Sequence, residues 1–179
     1  MLDLIIKNGL CYIDKDLKDQ DIAIKDGKIV KIGQIDSKAK EIFDAKGLTV
    51  LPGCIDTQTH FREPGSTDTE DLHSGSRAAI VGGITSVFEM PNTNPPTSNK
   101  VEFKKKLNLA KNRMYCNYAF YFGATPDNAD ELADLKNLEG CCGIKLFAGS
   151  STGNLLVQHE KDIEKVFKSS SKVVSVHSE

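Results

Sequence analysis

Gly53-Cys54-Ile55-Asp56-Thr57-Gln58-Thr59-His60-Phe61-Arg62-Glu63-Pro64-Gly65 is the stretch from which the fold can be worked out. Asp56, Gln58 and His60 alternate with Thr57, Thr59 and Phe61, and this period of two, ended by Pro64-Gly65, indicates a β-strand. Potential ligands on one face follow each other about 7 Å apart, since a strand rises about 3.3 Å per residue. The stretch predicts a strand that leads into a reaction site, although alternation alone also fits an edge strand with a solvated polar face.

The composition excludes several classes of partner. The chain has 179 residues, a formal net charge of -2 and a pI of about 6.1, so nothing in its electrostatics favours nucleic acid or an anionic membrane. Its only basic run, Lys104-Lys105-Lys106, lies in a helical pattern and is interpreted as a solvated face. Five cysteines without a framework spacing indicate a reducing compartment. Without a signal peptide or a long apolar run, a soluble cytoplasmic protein is predicted.

Residues 1–50 form a strand-rich module without a helical period. Short apolar segments are separated by Asn8-Gly9, a turn signal, and by Asp26-Gly27, a strong signal for a two-residue hairpin. These residues predict a small β-module that forms a domain of its own.

From residue 51 to residue 179 the pattern changes to strands that alternate with helices. Strand-like segments begin near Pro52, Ile84, Asn117, Gly143 and Lys172. The helical patterns between them begin at Leu72, Asn99 and Thr125, and the last contains Ile163, Val166 and Phe167. Such alternation predicts a parallel sheet with right-handed crossovers.

The strand–helix repeat takes roughly 30 residues, as in a (β/α)8 barrel, whose eight units need about 250 residues. This chain supplies five strands, the last of them Val173–His177. A parallel strand left open at the edge has unpaired backbone groups. We therefore expect an α/β fold that is the truncated N-terminal part of a TIM barrel, with a complete five-stranded open sheet as the alternative.

The side chains that could carry chemistry follow the carboxyl ends of the strands. His60, Arg62, Asn92, Lys145 and His177 all fall there, and these ends share one face of a parallel sheet. The imidazoles suit Zn²⁺ or a similar cation, and burial of Lys145 would lower its pKa. Each residue alone also fits a structural role, and only their convergence predicts a site. The two remaining histidines, His73 and His159, are expected on the surface.

The motif Asp-x-Gln-x-His-Phe-Arg-Glu-Pro-Gly resembles the first-strand signature of the metal-dependent amidohydrolases, and its last five residues resemble those of dihydroorotases. The resemblance implies a β-sandwich segment over residues 1–50 and one or two Zn²⁺ ions bound by His60 and His177. It also implies that Lys145, in Gly-Ile-Lys-Leu-Phe, forms a carbamate that bridges the metals. Arg62 and Asn92 would hold the carboxylate of the substrate.

Gln58 departs from that signature, which normally has a histidine at this position. An amide oxygen is a weaker zinc ligand than imidazole, so the resemblance leaves three outcomes open. These are a single-metal enzyme, a site that uses Gln58 or another ligand, and an inactive homologue.

The predicted function is that of a dihydroorotase of pyrimidine biosynthesis, which interconverts dihydroorotate and carbamoyl aspartate. In that family a further histidine ligand comes from strand six and the acid/base carboxylate from strand eight, so this chain alone is expected to be inactive. One alternative is a silent scaffold that binds aspartate transcarbamoylase, and a homodimer is a further expected partner. The other is a cyclic amidohydrolase of the allantoinase or hydantoinase type, against which Arg62 argues.

Overall fold

The computed structural model describes residues 1–151 and 153–178. They form two compact units, Met1–Pro52 and Gly53–Glu179. Within the described residues, no helix combines the length and the apolar character needed to cross a membrane.

The first unit is a five-stranded sheet in which β3, β2, β1 and β4 are neighbours and β5 pairs with β1. β2 is antiparallel to β1 and β3, whereas β4 and β5 run parallel to β1. Ile5, Ala23 and Ile35 form its small core. The strands are β1 (Leu2–Ile13), β2 (Asp16–Lys25), β3 (Lys28–Gly33), β4 (Ala39–Asp44) and β5 (Thr49–Val50).

The turn signals of this unit had different outcomes. Asp26 and Gly27, with φ of 50° and 69°, connect β2 to β3 and confirm the predicted hairpin. The turn predicted at Asn8-Gly9 is wrong, because β1 continues through it with a shift in its register to β2. A second two-residue connection, Asp14-Lys15 with φ of 54° and 66°, was not foreseen, since neither residue is glycine.

The second unit contains five parallel strands in the order β10-β9-β8-β7-β6. Each strand therefore pairs with its neighbour in sequence, and this confirms the predicted α/β class. All carboxyl ends lie at one edge of the sheet. The strands are β6 (Cys54–Thr59), β7 (Ile84–Glu89), β8 (Asn117–Gly123), β9 (Cys141–Phe147) and β10 (Val174–His177).

Three α-helices and one 3-10 helix connect these strands. Asp71 and Asn99 cap the first two α-helices, since each side chain accepts a backbone N–H of the first turn. The core lies between helices and sheet and includes Phe103, Leu132 and Val166. The helices are α1 (Leu72–Val81), α2 (Lys100–Ala110), the 3-10 helix (Ala129–Asn137) and α3 (Glu160–Ser169).

The helix predicted from Thr125 begins later and has 3-10 geometry. The backbone N–H of Thr125 donates to Asn128 Oδ1 at 2.8 Å, and the N–H of Asn128 donates to Thr125 Oγ1 at 3.2 Å. The Asn128 amide also donates to the carbonyl groups of Ser98 and Gly123. These bonds fix the segment as a loop, and the helix starts only at Ala129.

The solvated face predicted for the basic run is wrong for one of its three lysines. Lys104 and Lys105 are exposed, but the Lys106 side chain is 0% exposed and pairs with Glu89. Lys106 follows the buried Phe103 by three residues, which places both on the core-facing side of α2.

Candidate active site

One cavity lies at the carboxyl ends of β6, β9 and β10. It has a volume of about 390 Å³. Five of the six candidate residues named from the sequence line it, and Arg62 is the exception. The lining consists of Gln58, His60, Asn92, Lys145, Phe147, Ser150, Ser151 and His177.

His60 follows directly after β6 and is half-buried. Burial lowers the pKa of its imidazole, and the positive charge of Arg62 lowers it further. A hydrogen bond with the Asn92 side chain opposes this shift. The Asn92 side chain therefore lies beside the imidazole as well as lining the cavity.

Lys145 lies on β9 with only 2% of its surface exposed. Its Nζ is 5.2 Å from the centroid of the Phe147 ring. Burial lowers the pKa of the amine, and no charged neighbour contributes to this shift among the described residues. A larger fraction of neutral amine is the condition under which a lysine can react as a nucleophile.

His177 ends β10 and pairs in register with Phe147 of β9. The imidazole and Phe147 ring centroids are 5.8 Å apart. Ser175 pairs with Lys145 in the same ladder. The parallel register therefore brings the lysine and the histidine of adjacent strands to one wall of the cavity.

Arg62 lies apart from this group, against a neighbouring cavity of about 270 Å³. It is exposed and has φ of 58°, a left-handed conformation that turns the chain at the end of β6. Asn92 lines both cavities. Ser66 and Asn94 also line the smaller one, together with Pro64 and Pro96, so the recess combines polar and apolar groups.

Sequence reasoning missed an ion pair that anchors the loop after β6. The Glu63 carboxylate accepts hydrogen bonds from Arg113 Nη1 at 2.7 Å and Nη2 at 3.1 Å, and from the Leu72 N–H at 2.9 Å. Arg113 lies 50 residues away in sequence, so no local pattern could have identified it. Glu63 itself belongs to the stretch 53–65, but the sequence does not show which residue it pairs with.

The pair Glu89–Lys106, next to the cavity, was missed as well. Glu89 ends β7 and is 1% exposed. Burial raises the pKa of its carboxyl group to about 7, and the charge of Lys106 opposes this rise. The signal available in the sequence was the helical spacing of Lys106 from the apolar Phe103.

The donor groups of the cavity fit one borderline cation better than two. His60 and His177 offer imidazole nitrogens, whereas Gln58 offers a weaker amide oxygen. Lys145 could supply oxygen ligands only after it becomes a carbamate. Across residues 1–151 and 153–178, no three His, Cys, Asp or Glu side chains cluster in a way that could hold a metal ion.

Comparison with known proteins identifies relatives that cover most of the second unit. Residues 49–175 match the Amidohydrolase family. An allantoinase from Escherichia coli O1:K1 is 41% identical over 149 residues, which are 83% of this chain and 33% of the relative. An allantoinase from Escherichia coli O81 (strain ED1a) matches with the same figures. The chain therefore spans about a third of the length of these curated relatives.

Two solved structures have the same fold. The L-hydantoinase (dihydropyrimidinase) from Arthrobacter aurescens superposes with a TM-score of 0.89 at 29% identity, and the match covers 99% of this chain and 41% of that one. The dihydropyrimidinase from Brevibacillus agri NCHU1002 superposes with a TM-score of 0.81 at 26% identity. That match covers 99% of this chain and 40% of the dihydropyrimidinase. The sheet of the second unit thus corresponds to the N-terminal part of a TIM barrel, as predicted. The relatives named here are allantoinases and hydantoinases, so they favour the alternative prediction over dihydroorotase.

Proposed function

The chain belongs to the amidohydrolase family, and we propose that it serves the hydrolytic ring opening of a cyclic ureide of the allantoin or hydantoin type. The observation that carries this proposal is the convergence of His60, Lys145 and His177 on one cavity. The substrate class follows from the allantoinase and hydantoinase relatives. A cavity of about 390 Å³ is in the range of small-molecule sites.

His60 and His177 would hold a cation such as Zn²⁺, with a carbamate on Lys145 supplying an oxygen ligand. A cation held there would lower the pKa of a water ligand and polarise the ring carbonyl. Gln58 takes the place of an imidazole, so one ion is proposed.

The residues of this chain prepare the site in two ways. The buried amine of Lys145 forms a bond to the carbon of CO₂ and releases a proton, which converts a cation into a carboxylate. Asn92 holds the His60 ring in one orientation through its hydrogen bond. A positioned imidazole loses less freedom when a ligand binds, which is the general advantage of a preorganised site.

Turnover of defined substrates tests the proposal. We expect the metal-supplied protein, assayed with the remaining strands of the barrel present, to open allantoin or hydantoin, and we expect Lys145→Met to lower kcat at least about a hundredfold, which corresponds to about 2.7 kcal/mol in the barrier. Lys105→Met, which removes an exposed lysine from α2, is the matched control. Full ring opening by Lys145→Met would contradict the proposal.

The carbamate has its own readout. After equilibration with ¹³C-labelled bicarbonate, the wild-type protein should show one carbamate carbon resonance by NMR, and Lys145→Met should not. A resonance of equal intensity in both proteins would place the carbamate elsewhere.

Dihydroorotase remains the second candidate, because Arg62, Ser66 and Asn92 line one recess that shares Asn92 with the histidine cavity. A guanidinium there suits a carboxylate, which dihydroorotate carries and allantoin lacks. Arg62→Met should therefore raise the KM for dihydroorotate about tenfold or more and leave the KM for allantoin unchanged. Equal effects on both substrates would remove the case for dihydroorotase.

The predicted partnership with aspartate transcarbamoylase and the homodimer stay predictions. A protein that turns over none of these substrates with metal supplied, but binds a transcarbamoylase, would be the scaffold instead.

A further inference from the structure

We propose that Glu89 and Lys106, a buried ion pair outside the cavity, are positioning residues that hold His60 and Asn92 in their working arrangement. The inference rests on the proposed function, since it concerns the rate of that reaction. It adds two residues that touch neither the cavity nor any ligand position.

The residue before His60 is tied to the end of β7. The Thr59 carbonyl accepts the Met90 N–H at 2.9 Å. Thr59 also pairs with Glu89 in the parallel ladder of β6 and β7, and its hydroxyl donates to the Phe88 carbonyl at 3.2 Å. His60 therefore follows directly after a residue that is fixed to the end of β7.

Lys106 connects the same point to α2. Its Nζ pairs with the Glu89 carboxylate and donates a hydrogen bond to the Met90 carbonyl at 2.9 Å. The ammonium group also lies 5.2 Å from the centroid of the Phe120 ring. Both backbone groups of Met90 are thus engaged, one by β6 and one by α2.

Asn92 lies two residues beyond Met90 and hydrogen-bonds the His60 ring. The ends of β6 and β7 are consequently joined by the Met90–Thr59 hydrogen bond, close to the point where Asn92 meets His60. A displacement of Glu89 would free Lys106 to leave the Met90 carbonyl. A displacement of Met90 would move Asn92.

Stability alone does not account for this pair. Glu89 and Lys106 have exposed fractions of 1% and 0%, so both charges have lost nearly all contact with water. The desolvation cost of such a pair commonly offsets its Coulombic gain, and apolar residues of similar size often replace it without loss of stability. What an apolar replacement could not reproduce is the hydrogen bond from Lys106 to the Met90 carbonyl.

The test compares a neutral replacement of the pair with the wild-type protein. Glu89→Gln/Lys106→Met removes both charges at nearly constant volume. Its melting temperature should stay within a few degrees of wild type, whereas kcat should fall at least about tenfold, because small misplacements of reacting groups are costly in rate. The KM for the same substrate should change less than kcat.

A second readout needs no substrate. The ring ¹⁵N resonances of His60 should shift in the double variant, and those of His159, an exposed histidine on the surface, should not. Because this measurement is independent of turnover, a failure of the proposed function would leave it intact. Unchanged His60 resonances together with wild-type kcat would overturn the proposal.

The control variant is Glu102→Gln/Lys105→Met, the exposed ion pair on the same helix. It should leave kcat and the His60 resonances unchanged. If the buried double variant does not fold, Glu89→Asp takes its place, since it keeps the charge but shortens the side chain by one methylene. Glu89→Asp should shift His60 and lower kcat, and wild-type values of both in a folded protein would refute the positioning role.

Discussion

Glu63 fixes the loop that carries Arg62. Its carboxylate is 6% exposed and accepts hydrogen bonds from the Arg113 guanidinium and from the first backbone N–H of α1. A carboxylate at a helix N-terminus also interacts favourably with the helix dipole. One side chain therefore joins the β6 loop, α1 and the end of α2.

Replacing Glu63 by Gln should lower the free energy of unfolding by about 2 kcal/mol, because the amide satisfies fewer of these buried donors than the carboxylate. Asp134→Asn is the control, since its exposed pair with Lys100 should contribute less than about 1 kcal/mol. Urea denaturation of both variants measures the difference. Equal effects would show that the Glu63 contacts contribute no more than a surface pair.

Gly75 is a residue where the absence of a side chain matters, because a Cβ there would overlap the Phe61 ring. Gly75→Ala should destabilise the protein by about 1–3 kcal/mol through overpacking, although alanine is the better helix former. Ala78→Gly, on the exposed side of α1, should lower the free energy of unfolding by about 1 kcal/mol, because glycine has a lower helix propensity than alanine.

A second substitution at Phe61 distinguishes the overpacking of Gly75→Ala from the propensity effect of Ala78→Gly. Phe61→Leu should restore part of the stability of Gly75→Ala and none of that of Ala78→Gly, as thermal denaturation would show. A stabilising Gly75→Ala would mean that the Phe61 ring can move aside at no cost.

At the scale of elements, the position of α2 matters for the site, because it determines whether Lys106 reaches Glu89 and Met90. The helix begins after Asn99, whose side chain accepts the Glu102 N–H at 2.9 Å. An N-cap of this kind accepts a hydrogen bond from one of the N–H groups of the first turn that have no partner within the helix. The start of α2 is thus set locally, by the residue directly before it.

Asn99→Ala should reduce the free energy of unfolding by about 1 kcal/mol through the lost cap. Asn108→Ala, on the exposed face of the same helix, should leave stability equal or slightly raised. Chemical denaturation followed by circular dichroism checks both. A loss of similar size at the two positions would argue against the capping role.

At the scale of the molecule, the carboxyl edge of the parallel sheet collects the candidate ligands. Two imidazoles from strands at opposite ends of this sheet line one cavity. A cation that binds both would connect β6 with β10. Binding that prefers the folded state raises its stability by mass action.

Zn²⁺ at a hundredfold excess over its Kd should therefore raise the free energy of unfolding by about 2.7 kcal/mol. His60→Ala and His177→Ala should each abolish most of this gain, and the exposed His159→Ala should retain it. Melting curves with and without metal, and after chelation, measure the effect. The same gain in all three variants would place the cation elsewhere.

The sequence predicted the candidate residues better than the contacts that surround them. Five of the six named residues line one cavity because each lies near or just beyond the carboxyl end of a parallel strand, which is a local property of the chain. Arg62 lines the neighbouring recess instead, and its left-handed backbone conformation could not be read from the sequence. Their roles in binding and catalysis remain proposals.

By itself, the sequence determined the succession of strands and helices in the second unit. Both the alternation of side chains in a strand and the spacing of apolar residues in a helix are visible over a few neighbouring residues. Only the tertiary structure decided that Lys106 is buried against Glu89 and that Arg113 reaches Glu63. The physical reason is that a charge is buried only where a distant partner compensates its desolvation. Such partners, 17 and 50 residues apart in sequence, have no signature in the local pattern.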